Sequence, residues 1–157
     1  VANSGWRKVR SVEQTGKVLV LMDPDHSEKE YFIVENRSAA KSYDTKMPSE
    51  GLAVWHVMED KQVYGSLPPP QGVDAKMWSK YGGWARRAIR MVRPIYGPPI
   101  NWSLWDGSKQ ATGYDLLDND PDPKHAELRW IDGTPSGFSI RKIPKADPVM
   151  KVYVERH

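Results

Sequence analysis

The chain has 157 residues, 39% of them hydrophobic and 27% charged, a size at which one compact domain is the default. It contains no cysteine, which excludes thiol catalysis, disulfide scaffolds and Cys-ligated zinc. Its 23 Lys and Arg against 20 Asp and Glu leave a net charge of +3, which by itself points to no particular partner.

The first residues, Val1-Ala2-Asn3-Ser4, show neither an initiator Met nor a signal-peptide pattern, so the chain reads as a processed or excised piece of something longer. Lys17 to Met22 is an apolar run closed by the turn-forming Asp23-Pro24-Asp25, the pattern of a strand. Glu30 to Arg37 follows, with Tyr31, Ile33 and Glu35 on one face and Phe32, Val34 and Asn36 on the other. An apolar pair on each face predicts a central strand, at least partly covered on both sides. Gly51 to Met58 has the same character. Phe138 to Ile143 and Val149 to Val154 alternate as half-buried strands do, the latter with Met150, Val152 and Val154 inward.

One stretch is ambiguous. Ala85, Ala88, Ile89 and Val92 share a helical stripe with four arginines away from it, yet Arg87 to Pro94 also reads as a strand. Pattern alone prefers the helix. The connections are rich in breakers, including Pro68-Pro69-Pro70 and the run Asp118 to Pro123, which cannot be strand interiors because Pro withholds the ladder donor. No apolar run approaches the roughly 18 residues of a membrane span. The expected architecture is all-β: a single antiparallel β-sandwich over residues 1–157, jelly-roll-like or Ig-like, with long Pro/Gly-rich loops and a Trp-rich basic excursion at about 65–86.

Candidate chemistry is sparse. The four histidines, His26, His56, His125 and His157, include none in an H-E-x-x-H helix, so catalytic zinc is not expected. His56 and Glu59 have H-x-x-E spacing, but at a strand this puts them on opposite faces, and His56 is read as hydrogen-bonded inside the sandwich. No G-x-S-x-G elbow occurs, and Ser136 lies in a turn with no positioned base. Calcium is the better metal candidate. Asp115, Asp118, Asn119, Asp120 and Asp122 crowd a Pro-rich loop, with Asp106 and Asp132 in other D-G turns, and clustered hard oxygens suit that ion. The same residues are also ordinary turn formers.

Seven Trp and seven Tyr against two Phe suit sites that are apolar on one side and wet on the other. Lys76 to Trp84 interleaves cations with rings, the ingredients of single-strand binding, but no RNA or DNA motif accompanies it and no nucleic-acid partner is expected. Trp78, Trp84, Trp102 and Trp105 are candidates for a carbohydrate platform. Glu35 and Arg37, at i and i+2 on one strand face, are placed to pair with each other and are read as structural.

The two central strands carry a resemblance. Glu30-Tyr31-Phe32-Ile33-Val34-Glu35-Asn36-Arg37, then Gly51-Leu52-Ala53-Val54-Trp55-His56-Val57, resembles the signature of secreted immune-inhibitor-A-type metalloproteases, in which it lies in the β-sandwich after the zinc catalytic domain. Gly5-Trp6 with the strand at Val18 to Met22, and Trp130 to Ile140 with Ile143 and Val149 to Val154, are similar to the flanking parts of that region. Met58 stands where the family has Asp, and Arg93 to Gly97 replaces an acidic turn.

The resemblance implies a strand at Arg87 to Pro94, which is adopted over the helix. Glu35, Asn36, Arg37, Trp55 and His56 of the motif are read as structural, and the resemblance implies a secreted or cell-surface parent protein whose catalytic part is absent from this chain. The expected function is that of a non-catalytic accessory module, packing on a catalytic domain or another chain of the same assembly. The alternative is a stand-alone extracellular protein that binds a protein or carbohydrate.

Overall fold

A computed structural model describes residues 3–38, 49–59, 89–92, 104–107, 116–117 and 128–157. Among the described residues, eight strands and one helical turn follow in chain order: β1 (Gly5–Arg10), α1 (Val12–Thr15), β2 (Leu19–Met22), β3 (Glu30–Arg37), β4 (Gly51–Met58), β5 (Ile89–Val92), β6 (Leu116–Leu117), β7 (Phe138–Arg141) and β8 (Val149–Arg156). They form two antiparallel sheets, ordered β1-β8-β7-β6 and β2-β3-β4-β5. The all-β expectation therefore holds.

In the β2-β3-β4-β5 sheet the inner strands are those with apolar side chains on both faces. β3 lies between β2 and β4, in register from Glu30 opposite Met58 to Arg37 opposite Gly51. Phe32, Val34 and Asn36 are buried, while Tyr31, Ile33 and Glu35 are half-buried. In β4 every residue but Trp55 is buried. β8 alternates as its sequence predicts, with Met150, Val152 and Val154 inward. Ile89–Val92 is a strand paired to β4, the reading adopted over the helix.

The structure also corrects several boundaries. β1 was not expected, because Val9 is its one fully buried residue and its partner β8 is remote in sequence. β7 stops at Arg141 rather than Ile143, because Lys142 has a φ of 56°, which breaks strand geometry. Leu116 and Leu117, inside the loop expected to be irregular, form a short strand on β7. The excursion at 65–86 lies outside the described residues.

Both sheets contribute to one hydrophobic cluster. Val9, Phe138, Ile140, Met150, Val152 and Val154 come from one sheet, and Leu21, Phe32, Val34, Leu52, Val54 and Val92 from the other. Full burial of each large side chain contributes about 1.5–3 kcal/mol.

Polar ties reinforce it. Asn36 of β3, fully buried, donates its amide to Val9 O at 3.0 Å and Asp147 O at 2.9 Å. Arg156 of β8 pairs with Asp23, just after β2, at 2.8 Å. Leu52 and Trp105 exchange backbone hydrogen bonds of 2.9 and 2.8 Å. That close approach requires Gly51, whose φ is 132° and whose added Cβ would lie 2.3 Å from Trp105 O.

Candidate functional site

The most concentrated polar chemistry among the described residues is at the start of β3. Glu30 shares a strand face with Phe32 and Val34, so the pleat sends its carboxylate inward, where the residue is only 2% exposed. A buried carboxylate needs partners, and Glu30 has three. His56, on the same face of β4, places Nε2 2.6 Å from Oε1. The backbone N–H of Ile131 donates to the same oxygen. His26, four residues upstream in the β2–β3 turn, places Nε2 3.1 Å from Oε2.

The rings of this site are layered. His26 stacks on Trp130 with centroids 4.5 Å apart and planes 6° from parallel. Trp130 lies on Phe32 at 5.3 Å, and Phe32 on His56 at 4.7 Å. Glu30 thus joins the two imidazoles at the ends of a four-ring stack. His56 is buried, whereas the His26 side chain is 27% exposed.

The turn after Trp130 holds this arrangement in place. Thr134 donates its N–H and hydroxyl to Asp132 Oδ1 at 2.8 and 2.7 Å, an Asx turn. Trp130 N donates to Thr134 O at 2.9 Å, and Gly133 takes a φ of 87° at the corner. Partial desolvation, the largest influence on Asp132, pushes its carboxyl up. The Thr134 hydroxyl and amide, nearby His26 and a backbone contact together outweigh it and hold the group below its ordinary value.

A second polar pair lies on β4's other face. Trp55 Nε1 donates to Glu35 Oε1 at 3.0 Å, and Arg37 Nη1 donates to the same oxygen at 3.3 Å. Glu59 accepts the Tyr31 hydroxyl at 2.7 Å. That hydrogen bond, then burial, then the Glu59 charge raise the Tyr31 pKa above its ordinary value. His56 and Glu59 do not meet; the carboxylate bound to His56 is Glu30.

Ser139, His157 and Glu155 also converge, with Ser139 Oγ 2.9 Å from His157 Nε2. They do not make a relay. Glu155 approaches the same nitrogen, at 3.7 Å, whereas a triad acid holds the opposite ring nitrogen. Ser139 is also fully buried.

One of the four candidate platform tryptophans is corrected. Trp105 is 1% exposed and donates its indole N–H to Val92 O at 2.9 Å, so it belongs to the core and offers no sugar platform. Trp78, Trp84 and Trp102 lie outside the described residues, as do Asp115, Asp118, Asn119, Asp120 and Asp122. Asp106 accepts a hydrogen bond from Ala146 N. Among the described residues, no group of three or more His, Cys, Asp or Glu is arranged to hold a metal ion, and no helix is long and apolar enough to cross a membrane.

Sequence reasoning missed Glu30 and His26. The available signal was parity, since Glu30 lies two residues before Phe32 on the face that also carries Val34 and Asn36. Comparison with family models, curated proteins and solved structures finds no match.

Proposed function

We propose that the two sheets form a β-sandwich that serves as a non-catalytic module, packing against a protein partner such as the catalytic domain of a secreted metalloprotease-like parent. One observation carries this reading: the polar side chains of the β3–β4 motif are engaged within the chain. Asn36 joins β1 and the segment before β8 to β3, Glu35 is held by Trp55 and Arg37, and His56 is held by Glu30. Asn36 Oδ1 has no hydrogen-bond partner among the described residues, but the contacts made by its amide nitrogen, by Glu35 and by His56 favour one rigid arrangement, which suits a scaffold.

The test begins with the reading frame that encodes the chain. A neighbouring H-E-x-x-H segment, whose separately expressed domain binds this chain in calorimetry, would support the proposal. A frame without a zinc helix, or a zinc domain that fails to bind, would defeat it and favour the stand-alone extracellular alternative. Calcium remains a proposal for the Asp115, Asp118, Asp120 and Asp122 loop. A melting temperature unmoved between millimolar calcium and chelator would remove it.

A further inference from the structure

The outward face of the β1–β8–β7 sheet is unusually basic for a chain of net charge +3. Strand register defines its members. Trp6 lies opposite Tyr153, Lys8 opposite Lys151, and Arg10 opposite Val149. Arg141 lies opposite Tyr153 from the other side. Residues paired in register, and those two apart along a strand, share a face, so these side chains stand together. Lys142 joins them, with its ammonium 5.6 Å from the Trp6 ring centroid. Lys8, Arg10, Arg141, Lys142 and Lys151 are all exposed. Among the described residues, the carboxylate on this face is Glu155, opposite Ser139, and it is paired with Arg141 at 2.8 Å.

This arrangement opposes folding locally. Like charges directly opposite on neighbouring strands are destabilising, and Lys8 and Lys151 are so placed. A face that keeps such a repulsion beside an exposed ring (Trp6, 47% exposed) has the electrostatics of an anion-binding surface.

We propose that this face docks an acidic polysaccharide, a linear sugar polymer bearing sulfate or carboxylate groups. Lys8 and Arg10 stand two residues apart along β1, about 7 Å, and Lys8 faces Lys151 across the strands at about 4.8 Å, so one stretch of a polymer bearing closely spaced anions can meet several cations at once. The rings argue against single-stranded nucleic acid. Base binding needs free aromatic faces, but the Lys151 and Lys142 ammoniums lie over the Trp6 ring, at 4.8 and 5.6 Å, and Tyr153 meets it edge-on at 5.6 Å. Trp6 therefore acts as an apolar wall that positions two ammoniums.

The test uses heparin as the probe, with the full chain in salt of about 0.15 M, where screening extends over roughly 8 Å. Heparin is expected to bind and to be released as salt rises. The triple variant Lys8→Gln, Lys142→Gln, Lys151→Gln is expected to bind at least about tenfold more weakly. Its melting temperature should stay close to that of the parent chain, because the relieved Lys8–Lys151 repulsion offsets the lost ammonium contacts with Trp6. Lys17→Gln, an exposed charge in the turn after α1, should leave binding unchanged. Undiminished heparin binding by the triple variant would overturn the proposal. So would tighter binding, at equal charge concentration, to a thymidine oligonucleotide, polyglutamate or phosphatidylserine vesicles.

Discussion

Glu30 and His56 meet at 2.6 Å across adjacent strands, both side chains only 2% exposed. The contact belongs to a closed circuit, because the same carboxylate also reaches His26 at 3.1 Å and the two imidazoles cap the stack through Trp130 and Phe32. Trp130 and Ile131 come from the segment before β7, so the circuit ties the β2–β3–β4 sheet to a remote part of the chain.

Removing the carboxylate should therefore be costly. Glu30→Ala leaves His56 and the Ile131 N–H without their acceptor, and each unsatisfied buried donor costs about 1–3 kcal/mol. His26→Ala, at the exposed end of the circuit, should cost about 1 kcal/mol. Urea unfolding of the two variants reads the difference. Equal and small losses would mean that the circuit does not support the fold.

Asn36 makes a similar case between sheets. Its amide is the shared donor for Val9 O and Asp147 O, so Asn36→Ala leaves two carbonyls to find other partners. The expected loss is about 2–3 kcal/mol. Asn36→Asp should be at least as damaging, because a carboxylate brings charge and no donor toward the two carbonyls. Chemical denaturation that ranks Asn36→Asp as the milder change would contradict this role.

The two shifted groups predict opposite limbs of a stability–pH curve. Asp132 has a folded pKa below its ordinary value, so its contribution is present above the unfolded value of about 3.9 and is lost as pH falls through the folded one. Tyr31 has a folded pKa above its ordinary value, so its contribution is present below about 10 and is lost as pH rises through the folded one. Asp132→Asn should flatten the acid limb, and Tyr31→Phe the alkaline limb, in melts across pH. An unchanged limb in either variant would remove that residue from the account.

Legibility in the sequence followed side-chain chemistry. β3, β4 and β8 were readable because alternation or two-sided apolarity marks a strand directly. β1 was not, because Gly5-Trp6-Arg7-Lys8-Val9-Arg10 hides one buried residue among cations and is paired by a partner more than a hundred residues away. Trp105 was misread because a Trp flanked by turn residues looks exposed until the backbone pairing with Leu52 is known. Glu30 looked like the solvated start of a strand. Its burial depends on Trp130 and Ile131, contacts that no local pattern encodes.

The proposed scaffold role assigns the polar interior to the fold and not to bond breaking. The most direct test is hydrolysis of casein and of a peptide library by the pure folded chain, with and without added zinc. No turnover above buffer is expected in either condition. Turnover that follows the folded protein and disappears in Glu30→Gln would contradict that role.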